Sequence, residues 1–275
     1  MEQPEQTTVQ AKDQRRVTLH DAEAFEGMRR AGQLAARVLD HVAPYVRPGV
    51  TTGELDRRCH QFILDHGATP APLNYKGFPR ATCISVNRVV CHGIPNDEKK
   101  LRRGDILNID VTVILDGWHG DTSRMFWAGR PSVKARKLCD VTHEAMMRGI
   151  EEVGPGNTLG DVGHAIQHYA ERHRFSVVRD FCGHGLGQVF HDAPTVLHYG
   201  DPGTGLELKP GMLFTIEPMI NAGRAEVITL DDGWTAVTRD KALSAQFEHS
   251  VGVTEDGVEV FTHSPAGLHK PPYDV

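Results

Sequence analysis

Residues 106–127, ILNIDVTVILDGWHGDTSRMFW, decide the fold because they predict two strands joined by a tight turn. Asp116-Gly117 is the two-residue signal of a type I′ turn between runs of β-branched and aromatic residues. This turn sets Thr112 opposite Asp121, so that Asp110 lies diagonally from Asp121 on the same face of the hairpin. Their Cα atoms are predicted to lie roughly 7–8 Å apart, with the carboxylates closer together.

Two carboxylates held this close repel each other, so they require a raised pKa, a basic partner or a bound cation. Asp110 and Asp121 therefore have two interpretations. They belong either to the solvated polar face of an antiparallel sheet or to a metal site. This pair alone does not decide between the two, and the rest of the chain has to.

Composition narrows the class of protein. The chain has 275 residues, enough for one large domain or two smaller ones, and its 39% hydrophobic and 24% charged residues are typical of soluble globular proteins. A net charge of −6 argues against nucleic acid as a substrate. Five cysteines without a CxxC pair indicate free thiols in a reducing compartment, and no run of about 18 apolar residues predicts a membrane span. We therefore expect a cytoplasmic protein without a membrane partner.

Apolar spacing and turn signals predict four helices and a strand-rich C-terminal third. The helices begin after Asp21, at Thr51 or Thr52, at Val133 and at Thr158. Outside the hairpin, strands are predicted at 82–90, 212–220, 225–230, 234–238, 244–253 and 258–262. The polar segment 1–16 reads as a tail rather than a signal peptide or anchor, and 264–275 reads as a second, loose tail.

An internal repeat with an offset of 107 residues links the two parts of the chain. RPGVTTGEL at 47–55 aligns with GPGNTLGDV at 154–162, and RGDILNID at 103–110 aligns with PGMLFTIE at 210–217. The second alignment places Glu217 at the strand position of Asp110. A repeat of this kind predicts one α+β domain at 17–263 made of two similar halves, about 17–130 and 131–263.

Four carboxylates and one imidazole form the candidate metal-ligand set: Asp110, Asp121, His184, Glu217 and Glu248. His184 lies in the glycine-rich CGHGLG segment, which lacks the strand-then-helix context of a phosphate-binding loop. Oxygen ligands with a single nitrogen suit a pair of divalent first-row ions such as Mn, Fe, Co or Zn. Each residue taken singly is more typical of an ordinary surface acid or a structural histidine, and only their combination favours metal binding.

Eight segments stand in an order that resembles one known family. They are NYKGFP (74–79), CISVNRVVCHGIP (83–95), GDILNIDV (104–111), GDTSRMF (120–126), CGHGLG (182–187), FHDAP (190–194), FTIEPM (214–219) and SAQFEHS (244–250). From about Val17 onward the chain resembles the type I methionine aminopeptidases of metallopeptidase family M24. The resemblance implies the α+β "pita-bread" fold, a pseudo-two-fold arrangement with a central antiparallel sheet and helices on the outside.

The same resemblance implies how the five ligands share two metal ions. Asp110 would chelate one ion, and His184 and Glu217 would hold the other. Asp121 and Glu248 would bridge both. Water activated by the two cations would then attack the first peptide bond.

Further roles are also implied only by the resemblance. Glu217 would act as general base, His191 would stabilise the oxyanion, and His92 would contact the substrate nitrogen near the scissile bond. Without the motifs, both histidines read as ordinary hydrogen-bonded residues. The methionine pocket would consist of Tyr75, Phe78, Cys83, Phe190 and Trp234, whose soft and aromatic groups suit a thioether. With His92 and His191, these residues make up the implied substrate-binding set.

We therefore expect a monomeric exopeptidase that removes the initiator methionine from nascent chains when the second residue is small. The ribosome is a candidate partner. Lys76 and Pro72 depart from the family pattern near the pocket, which bears on substrate preference rather than on the reaction. Two alternatives remain at this stage: a proline-specific peptidase of the same fold, and a non-catalytic binding protein on the same scaffold.

Overall fold

A computed structural model describes residues 17–273, which form four long helices and fifteen strands; the predicted tail 1–16 lies outside this range. Helices α1 to α4 span Ala22–Val42, Thr52–Asp65, Val133–Glu151 and Leu159–Arg172, and single 3₁₀ turns lie at Ala43–Tyr45 and Tyr75–Gly77. Strands β1 to β5 span Thr69–Pro70, Cys83–Val86, Val89–Cys91, Ile106–Leu115 and Trp118–Trp127. Strands β6 to β10 span Ser176–Val177, Gly183–Gly185, Asp192–Val196, Leu213–Ile216 and Met219–Asn221. Strands β11 to β15 span Val227–Thr229, Ala236–Thr238, Ser244–Gln246, His249–Val253 and Val258–Val260.

The β4–β5 hairpin has the predicted register, with Leu115 paired to Trp118 and Thr112 to Asp121. Asp116 and Gly117 have φ angles of 51° and 83°, and a type I′ turn requires positive φ at both positions. Strands β1 and β2 pair with β4 on the edge that β5 leaves free. The predicted hairpin is therefore confirmed, and it is the centre of the first sheet.

Helix α1 packs directly on this hairpin. A Cβ atom on Gly120 would lie 2.2 Å from the carbonyl oxygen of Ala31, so only glycine permits this approach of strand to helix. The helix buries an apolar face that includes Met28, Leu39 and Val42. Helices thus cover the sheets from outside. None of the helices between residues 17 and 273 is both long and apolar enough to cross a membrane.

The second sheet has the strand order β15-β14-β9-β7-β8 and meets the hairpin edge to edge. Ser123 on β5 forms an antiparallel bridge with Glu248. Thr122 Oγ1 donates a hydrogen bond of 2.7 Å to the carbonyl oxygen of Glu248, and Asn108 Nδ2 donates one of 2.8 Å to that of Gln246. These bonds join strands that are more than 120 residues apart in the chain.

Three strands predicted as single are each divided in two: 82–90, 212–220 and 244–253. Pro218 has no N–H group to continue a ladder, so pairing changes from β9–β14 to β10–β13 immediately after Glu217. Glu248 likewise lies between β13 and β14. The sequence pattern overlooked these breaks, and two of them place an acidic residue where a strand ends.

The 107-residue repeat has a structural counterpart in helices α2 and α4. Both helices contain 14 residues, and each begins at a threonine N-cap, Thr51 or Thr158, whose side chain accepts a backbone hydrogen bond. Each threonine also forms an isolated bridge, to Lys100 and to Glu207 respectively, and these two partners are again 107 residues apart. The division into halves at about residue 130 stays a prediction, which this correspondence supports.

The segment 264–273 is packed rather than loose. Tyr273 Oη donates a hydrogen bond of 2.8 Å to the carbonyl oxygen of Met125, and Ser264 Oγ donates one of 2.8 Å to Asp40 Oδ1. Leu268 and Tyr273 also pack against the apolar core of the first half. The prediction of a loose tail rested on the polar composition of the segment and did not take account of Leu268 and Tyr273.

Arg124 generates a prediction about stability. It is only 2% exposed, and its guanidinium group pairs with Asp40 and donates to the carbonyl oxygens of Ala36 and Leu268. Arg124→Ala would leave the mostly buried Asp40 charge without its ion-pair partner, so we expect the free energy of unfolding to fall by about 3–5 kcal/mol. Arg57→Ala, which breaks an exposed pair with Asp97, should cost below about 1 kcal/mol. Urea denaturation of both variants tests this, and equal losses would contradict it.

Candidate metal centre

The residues predicted to bind metal or substrate line one cavity of about 370 Å³. Three of the five candidate metal ligands lie on strands of two different sheets, and the other two lie at breaks between strands. Asp110 and Asp121 come from the β4–β5 hairpin, His184 from β7, and Glu217 and Glu248 from the strand breaks described above. The remaining predicted residues on its wall are Tyr75, Phe78, Cys83, His92, Phe190, His191 and Trp234.

Three of the five candidate ligands already have the spacing of a cation site. The ligand atoms of Asp121, His184 and Glu248 all lie within 4.8 Å of one another. His184 Nε2 lies 3.6 Å from Asp121 Oδ2 and 3.6 Å from Glu217 Oε1, too far for hydrogen bonds. Two ligand atoms at about 2.1 Å from one ion lie up to about 4.2 Å apart, so these separations fit a shared cation.

The tautomer of His184 is fixed by its other ring nitrogen. Nδ1 lies 3.1 Å from the carbonyl oxygen of Gly185 and donates a hydrogen bond to it, which leaves the Nε2 lone pair facing the carboxylates. Burial lowers the pKa of His184 to about 4, so the ring is neutral at pH 7. A neutral imidazole with a free lone pair is the form that binds metal.

Asp121 of the hairpin is buried and Asp110 is partly buried, which argues against the solvated-face interpretation. Asp121 is 3% exposed and its neighbour Thr112 is 2% exposed. Burial raises the pKa of Asp121 to about 7, although a hydrogen bond of 2.7 Å from Thr112 Oγ1 lowers it in part. Burial, followed by repulsion from Asp121, also raises the pKa of Asp110 well above its ordinary value.

Glu217 and Glu248 share this environment. Burial is the main cause that raises the pKa of each well above its ordinary value, and repulsion from Asp121 is the next. Among residues 17–273, the cavity wall offers one lysine, Lys76, and no arginine against these four carboxylates. Hard oxygen donors in this number fit divalent cations.

Hydrogen bonds from outside the ligand set orient Glu217 and His184. Thr215 Oγ1 donates to Glu217 Oε1 at 2.8 Å and accepts from the backbone N–H of His184 at 3.0 Å. Gln246 Nε2 donates to Glu217 Oε2 at 3.3 Å. His198 Nε2 accepts from the backbone N–H of Glu217 at 3.0 Å. One hydroxyl group therefore links two candidate ligands, as supporting residues do in metal sites.

An aromatic slot adjoins the acidic end of the cavity. The rings of Phe78 and Trp234 meet edge to face, with centroids 5.2 Å apart, and the ring of His92 lies 6.1 Å from that of Trp234. The Tyr75 hydroxyl lies 3.0 Å from His191 Nδ1. An apolar side chain in this slot would bring its own backbone toward the carboxylates.

Sequence reasoning missed several residues of the cavity and its supports. Thr215 could have been found, because two residues before Glu217 on a strand is the same face. His198 carried no signal, because its contact with Glu217 depends on tertiary packing. The cavity wall also includes Asp180, Phe181, Cys182 and Met219, none of which the sequence analysis singled out.

Comparisons with known proteins show what this chain is similar to. The profile of metallopeptidase family M24 matches residues 26–255. A methionine aminopeptidase of Rickettsia prowazekii is 60% identical, covering 94% of this chain and 99% of that protein. Its crystal structure superposes with a TM-score of 0.89, covering 90% of this chain and all of that one.

More distant relatives share either the name or the fold. Methionine aminopeptidase of Escherichia coli is 53% identical, covering 90% of this chain and 94% of that protein. A prolidase from Pyrococcus furiosus has a TM-score of 0.69 at 20% identity, covering 94% of this chain and 67% of that one, a likeness that extends to the fold alone. With the antiparallel sheets and external helices, these matches confirm the predicted pita-bread fold.

The raised pKa of Asp121 gives a prediction for metal-free protein. The folded state holds this proton up to about pH 7 and the unfolded chain releases it near pH 4, so stability is lost as pH rises through this window. Asp121→Asn removes the charge. After treatment with a chelator, we expect the free energy of unfolding of the variant to exceed that of wild type by about 2–4 kcal/mol at pH 8 and by much less at pH 5. Added Mn²⁺ should make wild type more stable than the variant, because only wild type keeps the Asp121 carboxylate as a ligand.

Urea denaturation at both pH values measures this difference. Asp116→Asn, at the exposed turn of the same hairpin, is the matched control and should show no such dependence. A pH-independent difference between Asp121→Asn and wild type would contradict the prediction.

Proposed function

Because the chain belongs to metallopeptidase family M24 and to the methionine aminopeptidases within it, we propose that this cavity hydrolyses the peptide bond after an N-terminal methionine. The observation that carries the proposal is that four acidic residues and His184 line one cavity together with an aromatic slot. A complete ligand set disfavours a non-catalytic binding protein. The prolidase likeness extends only to the fold and gives no support to proline specificity.

Two divalent ions are proposed as the cofactor, held by Asp110, Asp121, His184, Glu217 and Glu248. Co, Mn, Fe and Zn all suit this mixture of carboxylate oxygens and one imidazole nitrogen. When bound, the ions supply Lewis acidity that activates water and polarises the scissile carbonyl group.

Glu217 is proposed as the residue that moves the proton. Both of its carboxylate oxygens are held in place, Oε1 by Thr215 and Oε2 by Gln246. A carboxylate with a fixed orientation can accept a proton from the attacking water and return it to the leaving amine.

His191 and His92 are proposed to hold the reacting peptide bond. Partial burial, together with the nearby His184 and Lys76, lowers the pKa of His191, and burial lowers that of His92. Each ring is therefore neutral at pH 7 and keeps one N–H to donate. His191 would donate to the developing oxyanion and His92 would contact the substrate nitrogen.

The aromatic slot is proposed to take the methionine side chain. Phe78, Cys83 and Trp234 form an apolar wall, to which Tyr75 and Phe190 add rings with centroids 4.9 Å apart. A flexible thioether gains favourable contact with aromatic rings. We propose a small second residue in the substrate, a monomeric enzyme and a cytoplasmic location, the last supported by five free cysteines.

A peptide assay tests the proposed reaction. With Mn²⁺ or Co²⁺, we expect release of methionine from Met-Ala-Ser and no cleavage of Ala-Pro-Ser. Cleavage before proline alone would favour the alternative peptidase, and silence on both peptides with every metal would overturn the enzyme assignment.

His184→Ala tests the role of the ligand set within that assay. The substitution removes a ligand and little packing, so turnover should be lost while the circular dichroism spectrum stays unchanged. His60→Ala on helix α2 is the control and should retain activity. Full activity in His184→Ala would contradict the metal assignment.

Contact with the ribosome is proposed through a basic groove of about 740 Å³. It is lined by five cationic side chains and by one acid, Asp105; the cations are Arg88, Lys99, Arg103, Arg130 and Lys241. None of these five forms an ion pair within residues 17–273. Unpaired cations in a groove suit the phosphate backbone of RNA.

Co-sedimentation with ribosomes measures this contact. We expect binding to weaken with added salt and to fall at least about threefold in Arg103→Glu. Lys209→Glu makes the same charge change at an exposed position outside the groove and should bind as wild type does. Equal binding by both variants would contradict a role for the groove.

A further inference from the structure

Two histidines lie one turn apart on the outer face of helix α4, in the sequence HAIQH at 164–168. Residues at i and i+4 of a helix project from the same face. The rings of His164 and His168 are nearly parallel, with an angle of 21° between their planes and centroids 5.6 Å apart. Both line a cavity of about 350 Å³ between helices α3 and α4, which shares no residue with the cavity of the metal centre.

The ring nitrogens of this pair are available to a ligand. His164 Nδ1 lies 3.3 Å from the carbonyl oxygen of Gly200 and donates to it, so the lone pair of Nε2 is free. His168 is exposed, and its ring makes no hydrogen bond to another residue of the described chain. Metal-binding histidines commonly donate their second ring N–H to a backbone carbonyl group, as His164 does.

The charges around the pair favour a cation. Glu151, Glu152 and Asp161 line the same cavity. Asp161 is committed to the helix N-cap, where Thr158 Oγ1 donates to it at 2.7 Å, so it contributes charge rather than a free ligand atom. Glu151 and Glu152 form no ion pair with any residue in the described range, so their negative charge also favours a cation in this cavity.

Two arginines also line this cavity. The guanidinium group of Arg148 forms an ion pair with Glu144 at 3.0 Å and lies over the ring of Tyr169 at 4.4 Å. Arg172 is then the cation without such a partner on this wall. The negative charges of the three acidic residues therefore exceed the positive charge of Arg172.

The fold itself does not require histidine at these positions. Helix α2 corresponds to α4 through the 107-residue repeat, and its equivalent residues are Arg57 and Gln61. Both helices have the same length and the same threonine N-cap. Packing and helix formation thus leave the histidine pair unexplained.

We propose that His164 and His168 chelate one divalent ion of the imidazole-preferring class, Ni²⁺, Cu²⁺ or Zn²⁺, outside the catalytic cavity. Paired histidines at this spacing are the helical part of known zinc sites. Nitrogen donors select these ions over Mn²⁺ and Mg²⁺. The proposal does not rest on the peptidase function, and it means that metal titrations of this protein would count one ion more than the catalytic centre holds.

Titration of metal-free full-length protein with Cu²⁺, followed by electron paramagnetic resonance, tests the site. We expect wild type to show a species with two nitrogen ligands, whereas the catalytic ligand set contains only one. His168→Ala and His164→Ala should each lose this species and bind about one Cu²⁺ fewer in equilibrium dialysis. His60→Ala on helix α2 should bind as wild type does.

The outcomes separate this site from the catalytic one. His184→Ala should keep the two-nitrogen species, because its change lies in the other cavity. If His168→Ala and His164→Ala both retain wild-type stoichiometry and spectrum, the proposal is overturned. Loss of the species in His184→Ala but not in His168→Ala would place it in the catalytic cavity and also overturn the proposal.

Discussion

Repulsion among four carboxylates, two of them buried and two partly buried, is the constraint on which the rest of this structure depends. Asp110, Asp121, Glu217 and Glu248 share one cavity, and burial raises the pKa of each. An arrangement of this kind costs free energy unless a cation balances it. Thr112, Thr215 and Gln246 hold the oxygens in place by hydrogen bonds. A bound divalent cation would relieve this repulsion.

The positions at which strands continue or end determine where the four acidic residues lie. The hairpin carries two acids within a continuous ladder, whereas the second half presents Glu217 and Glu248 at interruptions of strands. An interruption frees a side chain from the strict alternation of a sheet. The bridge between Ser123 and Glu248 then fixes the second half against the first. The two acids of the hairpin and the two acids at strand breaks therefore occupy unlike backbone positions, although the chain contains an internal repeat.

Much of the fold could be predicted from sequence because the signals were local, and the five candidate ligands chosen from sequence do line one cavity. The Asp116-Gly117 turn fixes the register of the hairpin within two residues, and the fixed repeat offset links Asp110 to Glu217. His198 could not be predicted, since only tertiary packing brings it to Glu217. The packing of Leu268 was hidden in a segment whose composition is that of a loop. Turns and other local features can be predicted from the sequence, whereas contacts between distant segments depend on the assembled fold.

The seam between the halves has a consequence for the order of folding. Asn108 bonds to Gln246 across 138 residues, and Thr122 bonds to Glu248 across 126. Contacts so distant in the chain form late, after the entropy of closing a long loop has been overcome. During synthesis, the first half leaves the ribosome with its two aspartates in place and their partners not yet translated. The five candidate ligands therefore come together only when nearly all of the chain has been made.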